Sequence, residues 1–333
     1  MLALDTADPA SPWHAGERML QDQAGVAGCM EELGRRVLRD HLIDQHRAFY
    51  PQLPFIVLGT VDGEGDAWAT LRAASPGFLQ SPDPGTLSVH LGREPGDPAD
   101  PGMSDGDAIG MLGIELHTRR RNRLNGTIRR SGPAGFEVEV GQSYGNCPKY
   151  IQLRDFRFVR DPSASATVEP TVLQTLDGAA RRMIGAADTF FVATYADFEN
   201  GRRQADVSHR GGKPGFVRVG SDGVLTIPDF AGNLFFNTLG NILANGKAGL
   251  VFADFETGDL LQLSGDAEVV LASPELDAFE GAERLWQFTP RRIIRRPDAL
   301  PLRWVPDTQG QSPSLRMTGS WDEAESRFSA GIA

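Results

Sequence analysis

Cysteine is scarce in this sequence: only Cys29 and Cys147 occur in 333 residues, which argues against a disulfide-stapled secreted protein. No apolar run approaches the length that crosses a bilayer, and the N-terminus lacks a basic stretch followed by an apolar core. Neither a membrane partner nor a secretory leader is therefore expected, and the cytoplasm is the default location. Basic charge is also in short supply: 33 Lys and Arg stand against 44 Asp and Glu, a formal charge of -11 with a pI near 5.1. General nucleic-acid binders carry the opposite sign, so DNA and RNA are not expected partners. No dinucleotide-type glycine fingerprint is visible, so a pyridine nucleotide would visit rather than reside. What remains, 40% hydrophobic and 23% charged residues, predicts a soluble globular chain long enough for two domains with separate cores.

In chain order, residues 1–12 are rich in Asp, Ala and Pro and read as a tail. From His14 to Phe49 the residues Met19, Val26, Met30, Leu33, Val37, Leu38 and Leu42 recur at helical spacing, which predicts one or two amphipathic helices. His41, Asp44 and His46 invite a metal reading, but five residues between the histidines put them on different sides of a helix, and a solvated face is expected. The almost wholly apolar run from Leu53 to Leu58 predicts a strand buried on both faces. Asp62 to Asp66 is turn chemistry, and Ala67 to Leu71 is the next strand. The stretch from Arg93 to Asp107, dense in Pro, Gly and Asp, reads as an exposed loop.

An internal repeat organises the chain. Gly110–Gly126 aligns without gaps on Gly249–Gly265 at an offset of 139, matching Glu115 with Asp254, Thr118 with Thr257 and Leu124 with Leu263. Upstream, Pro76-Gly77-Phe78 matches Pro214-Gly215-Phe216, Thr70 matches Ser208 and Arg72 matches Arg210, each at an offset of 138. Ordered matches at nearly constant offset predict two copies of one β-rich unit and a pseudo-symmetric pair within the chain.

The second copy holds the richest polar constellation. Runs at Phe216–Val219 and Val224–Ile227, separated by Gly220-Ser221-Asp222-Gly223, predict a β-hairpin. Before it stand Ser208, His209, Arg210 and Lys213, interleaved with Gly211, Gly212 and Gly215, a set of donors and small residues suited to an anionic group. After it, Asn233 to Asn245 predicts a helix whose first turn offers free N–H groups, a common phosphate site. Asn233, Asn237 and Asn241 recur every four residues and share one face. The first copy has the Arg93–Asp107 loop in place of this helix and Ser75 in place of Lys213, so its site is expected to be degenerate.

Other signals have plainer readings. Arg119 and Arg121 face away from Arg120 on a strand, which dilutes any nucleic-acid patch and predicts solvated or ion-paired side chains. Cys147 could be a nucleophile, but no His–Asp partner set accompanies it, and a tight turn closing over a ring is expected, with Tyr144 and Tyr150 available for stacking.

The run Val207–Val219, with Ile227-Pro228-Asp229, Gly232-Asn233 and Thr238-Leu239-Gly240-Asn241, resembles the FMN-binding proteins related to pyridoxamine 5'-phosphate oxidase. Arg121–Gly126 and Asn146–Tyr150 are similar to further segments of FMN-dependent members. The resemblance covers residues 190–270 most fully and 54–154 more weakly. It implies a mainly β fold with flanking helices: two tandem split β-barrels, spanning 51–160 and 189–333, after an N-terminal helical segment (1–50) and joined by a linker helix (161–188). It also implies a dimer or an intrachain pseudo-dimer with FMN at the barrel interface. By the same resemblance Ser208, His209, Arg210, Lys213, Pro228, Asn233, Asn237, Thr238 and Asn241 would surround the phosphate and ribityl chain, and Gln262 would lie nearer the ring. A glycine-rich run replaces the strand that carries the substrate-binding lysine of the oxidases, so no catalytic residue is carried over and the substrate or electron donor is open. Members of the family also bind haem or deazaflavin, which leaves a non-catalytic carrier, sensor or scavenger as the alternative to an oxidoreductase.

Overall fold

The fold is that of a computed structural model describing residues 11–145, 147–164 and 168–329. The expected tail up to residue 10 and Asn146 lie outside the described residues. Where one or two helices were expected before the first strand, there are three α-helices among the described residues: α1 (Ala15–Gln23), α2 (Ala27–Val37) and α3 (Asp44–Phe49). The periodic apolar residues explain α1 and α2, and a His14–Glu17 capping box starts α1. His46 on α3 is buried against Ser143, whereas His41 is exposed and bonded to Asp40, so the histidine trio does not come together.

One antiparallel sheet follows, made of β1 (Phe55–Val61), β2 (Ala67–Ala73), β3 (Leu79–Gln80), β4 (Thr86–Val89), β5 (Ala108–Glu115), β6 (Arg120–Gly132) and β7 (Gly135–Gly145). The connecting segment carries β8 (Arg154–Phe158), β9 (Thr171–Leu173) and α4 (Gly178–Ala186). The expected linker helix is therefore confined to the end of its range. A second sheet contains β10 (Thr189–Asp197), β11 (Arg203–Gly211), β12 (Arg218–Val219), β13 (Leu225–Phe230), β14 (Lys247–Ala253), β15 (Leu260–Val270) and β16 (Ala282–Arg296). Helix α5 (Asn237–Asn245) lies between β13 and β14, and α6 (Pro274–Ala278) between β15 and β16. The chain then runs through β17 (Leu302–Pro306), which pairs with β8, to α7 (Trp321–Ser329).

The two sheets have the same connectivity. The first runs β2-β1-β5-β6-β7-β4-β3, and the second runs β11-β10-β14-β15-β16-β13-β12, with β9 added against β16. Positions matched in the sequence occupy matching registers: Gly110 lies opposite Gly59 as Gly249 lies opposite Ala193, and Leu124 faces Met111 as Leu263 faces Leu250.

Period-2 alternation explains why the central strands are apolar throughout. Ile56, Leu58, Ile109 and Met111 fill the core of the first sheet, and Phe190, Val192, Leu250 and Phe252 that of the second. Their neighbours Phe55, Val57, Leu112, Ile114, Phe191, Ala193, Val251 and Ala253 form a third core between the two sheets. Ion pairs border this junction. Arg292 reaches Asp62 (2.8 Å) and Arg291 reaches Asp66 (2.6 Å), so the acids of the Asp62–Asp66 turn face cations of the other sheet.

Two glycines set how closely the sheets approach. A Cβ on Gly110 would stand 2.7 Å from the carbonyl carbon of Asp206 on β11, and one on Gly249 would stand 2.2 Å from the carbonyl oxygen of Ala67 on β2. Gly249→Ala is expected to separate the sheets at a cost of about 1–3 kcal/mol, read as a lower urea midpoint. Gly28→Ala, in α2 with open space around it, is expected to be neutral or stabilising by up to about 1 kcal/mol. A Gly249→Ala variant as stable as the parent would overturn this account of the junction.

Candidate functional site

A cavity of about 100 Å³ lies where the two sheets meet, with walls from both. The first sheet and the loop after it contribute Arg121, Arg123, Cys147, Lys149 and Tyr150. The second contributes Ser208, His209, Arg210, Pro228 and Asp229, then Asn233, Asn237 and Thr238 leading into α5. Four cations face only two carboxylates, Asp229 and Glu283. An acidic chain has thus concentrated positive charge in one concavity.

Arg123 is the deepest of these cations, at 3% exposure. It donates to Tyr144 Oη (2.9 Å), Asp206 Oδ1 (3.1 Å) and Asn237 Oδ1 (2.9 Å), and also bonds Ser208 Oγ. Burial disfavours its charge, yet Tyr144 and Asp206 hold its pKa above the ordinary value. Asn125 donates to the same Asp206 oxygen (2.8 Å), and Asn241 reaches its other oxygen (3.4 Å). Arg210 pairs with Asp229 (2.7 Å), whose carboxyl is nonetheless raised by burial. Arg121 has no carboxylate partner among the described residues, and burial, together with Arg123 and Arg210, pulls its pKa down to about 9.

Four buried nitrogens of the lining have no hydrogen-bond partner among the described residues: Arg121 Nε, Arg123 Nε, His209 Nε2 and Arg210 Nε. Buried polar atoms are ordinarily satisfied, so this concentration of unused nitrogens marks a place prepared for acceptors. His209 is held well below its usual pKa by burial and by Arg121, Arg154 and Arg210. It is a neutral hydrogen-bonding group there, not a cation.

Helix α5 supplies a further donor set. Its N-cap, Phe236, is left-handed (φ 60) and makes no side-chain capping bond, and Leu234 is left-handed as well (φ 64). Non-glycine residues in this region cost of order 1–3 kcal/mol each and concentrate at ligand sites. The first turn, Asn237 to Leu239, lines the cavity, and the N–H groups of a first helical turn have no intrahelical partner.

The sequence-derived set is thus brought together in large part: Ser208, His209, Arg210, Pro228, Asn233, Asn237 and Thr238 all line the cavity. Three do not. Lys213 sits in the turn before the hairpin, where its carbonyl accepts from Phe216 N (3.0 Å). Asn241 is buried behind the site on Thr194 (3.0 Å) and Asp206, because residues four apart on α5 lie at different depths. Gln262 belongs to a separate cluster, donating to Ala69 O (3.0 Å) and Asp97 (3.1 Å). The glycines also act differently from expectation: a Cβ on Gly211 would stand 2.4 Å from Tyr150 O, so this glycine admits the opposite wall of the site and not a ligand.

Sequence reasoning assigned Arg121, with Arg119 and Arg120, to solvated or ion-paired roles, and noted Arg123 only within the family-like segment Arg121–Gly126, so neither was placed in the cavity. The available signal was the repeat: Arg123 stands where the second copy has Gln262, and a pair of packed sheets exchanges such strand residues across the junction. Tyr150 lines the cavity, whereas Tyr144 is buried below it against Phe235 and Arg123.

Neither a protein-family model nor a curated protein matches the chain. Solved structures that resemble parts of it include HupZ from Group A Streptococcus, 18% identical, covering 35% of this chain and 91% of that one (TM-score 0.28). Two others are the FAD binding protein from Mycobacterium smegmatis and a pyridoxinephosphate oxidase-family protein related to general stress protein 26 from Clostridium acetobutylicum. The former is 14% identical over 40% of this chain and 99% of that one, the latter 13% over 39% and 94%, each with a TM-score of 0.26. At these scores the likenesses carry no argument about ligand or activity, and the case for function rests on the cavity.

Removing Arg123 leaves Asp206 buried and unpaired. Arg123→Met is expected to destabilise the protein by about 3–5 kcal/mol, and Lys149→Ala, whose ammonium bonds Ala231 O (3.3 Å), by less than about 1 kcal/mol. Equal chemical-denaturation midpoints for the two variants would contradict this hierarchy.

Proposed function

We propose that this cavity holds the phosphate of a phosphate-bearing cofactor, with FMN as the ligand, and that the protein is an FMN-binding oxidoreductase-like protein. The observation that carries the reading is convergence: unpartnered arginine nitrogens from both sheets and the uncapped start of α5 line one small concavity. At about 100 Å³ the cavity is below the roughly 300–1,000 Å³ of a complete ligand site. It fits a phosphate head group, and the remainder of the ligand extends beyond it.

Arg121 and Arg210 would hold the dianion through their unused nitrogens, with the first turn of α5 adding backbone donors. Arg123, already committed to Asp206, would act chiefly as fixed positive charge. Ser208 and Thr238, bonded to each other at 3.0 Å, have rotatable hydroxyls that can turn to an oxygen acceptor. His209 Nε2 would hydrogen-bond the ligand without changing charge. When bound, a flavin supplies hydride transfer through its N5, and the protein supplies orientation and electrostatics. Since one chain provides both walls, we read the two sheets as copies of one unit forming a pseudo-dimer.

The test is calorimetric titration with FMN, riboflavin and inorganic phosphate. FMN is expected to bind at least about tenfold more tightly than riboflavin, since each charge-assisted bond to phosphate is worth about 1.5–3 kcal/mol. Arg210→Ala is expected to remove most of that advantage, and Arg72→Ala to leave it. Affinity for phosphate should rise as the dianion forms near pH 6, and Arg121→Met, which removes a guanidinium that lines the cavity without a carboxylate partner among the described residues, should weaken it at every pH. Equal affinity for FMN and riboflavin would overturn the reading. If FMN binds, anaerobic reduction by NADH or NADPH distinguishes an oxidoreductase from a carrier.

A further inference from the structure

The shared connectivity of the two sheets defines a second location, related to the cavity by exchanging their roles. Arg210 pairs with Phe190 in the second sheet as Arg72 pairs with Ile56 in the first. Thr70 corresponds to Ser208 in the same way, two residues earlier on each strand. Across the junction, Gln262 lies opposite Val251 as Arg123 lies opposite Leu112. Where the first location has Ser208, Arg210 and Arg123 facing a cavity, the second has Thr70, Arg72 and Gln262, joined by Arg296 from the end of β16.

These groups surround a carboxylate of the chain itself. Asp97, from the segment that stands in place of α5, is 1% exposed. Its oxygens accept from Thr70 Oγ1 (2.7 Å), Gln262 Nε2 (3.1 Å) and the backbone N–H of Ala99 (3.0 Å), with Arg296 at 3.2 Å and Arg72 at 3.9 Å. A hydroxyl, a side-chain amide, a backbone N–H and two guanidinium groups around one anion constitute a complete binding shell. Glu94 adds a second carboxylate, 2.7 Å from Arg72 and bonded to Arg296. Here Arg72 Nε faces Glu94 (2.7 Å) and its Nη2 donates to Gly92 O (2.8 Å), whereas Arg210 Nε has no partner among the described residues. Beside this shell a cavity of about 800 Å³ lined by Arg72, Phe78, Glu94 and Leu300 remains open.

We propose that Asp97 is a tethered substitute for the anion of a second, pseudo-symmetric site, so that the chain carries two anion sites and fills one of them itself. The proposal rests on the reading of the first cavity as an anion site. It gives the acid-rich loop a specific role: the segment supplies negative charge to the first unit where the second unit keeps an open, donor-lined pocket. Chemically, the vacated shell would accept a small carboxylate or a phosphate.

The experiment is chemical rescue of Asp97→Ala by sodium formate and by inorganic phosphate, followed by thermal denaturation and equilibrium binding. Asp97→Ala is expected to lower Tm and to gain one formate per chain, with saturable recovery of most of the lost Tm. Neither response to formate is expected in the parent protein or in Asp97→Ala with Arg72→Met; the parent is expected to respond to phosphate only through the first cavity, a response that Arg210→Ala removes. Should Asp97→Ala fail to fold without additives, formate-dependent recovery of folded protein is the same readout, and Glu94→Gln, which leaves Asp97 in place, should bind no formate. A folded Asp97→Ala that neither gains formate nor recovers Tm, or one that recovers no more than the parent, overturns the proposal. Repeating the rescue with Arg210→Ala separates the two readings. Rescue that persists while the parent shows no affinity for phosphate refutes the first cavity and leaves the tethered anion standing.

Discussion

Backbone-to-backbone contact between the two sheets, at Gly110 against Asp206 and Gly249 against Ala67, is the constraint on which the rest of the molecule depends. Side chains at these positions would hold the sheets apart, and the apolar layer of Phe55, Val57, Phe191 and Val251 would not close. That layer is why β1, β5, β10 and β14 are buried on both faces. It also brings β6 of the first sheet close enough to β11 of the second for Arg123 to reach Asp206 and Ser208.

The junction is costly in electrostatic terms. Taking an arginine and an aspartate out of water requires nearly complete hydrogen bonding in return, and Asp206 obtains it from Arg123, Asn125 and Asn241. Asp97 obtains it from an equally full set on the other side. The candidate cavity differs in that several of its arginines, Arg121 and Arg210 among them, keep nitrogens that no described residue uses. Left-handed Leu234 and Phe236 at the same place show that the backbone, too, is strained where the donors gather.

Much of this was legible in the sequence. Glycine spacing and apolar runs pointed to the strands and the hairpin, and the Asn-rich stretch pointed to α5; what the structure adds is that the two sheets share one strand order. The Arg93–Asp107 loop is exposed at Arg93, Ser104 and Asp105 but buried at Asp97, Ala99 and Asp100; Pro, Gly and Asp mark turns without saying what the acids face, and Asp97 is buried by arginines from strands far away in the chain. Gln262 was placed near the wrong cavity for a related reason. A strand residue in a packed pair of sheets serves the neighbouring unit, and nothing local to Gln262 reveals which unit that is. Arg121 and Arg123 were hidden by the same geometry.

Both walls of the candidate cavity belong to one polypeptide, Arg121 and Arg123 on one side and Ser208 and Arg210 on the other. In an assembly of identical subunits, any substitution would appear simultaneously at every symmetry-related position, improving or ruining all of them at once. Here each half is encoded separately, so a change at residue 72 leaves residue 210 untouched. Substitutions on the two walls of this cavity can therefore be made one at a time within a single chain.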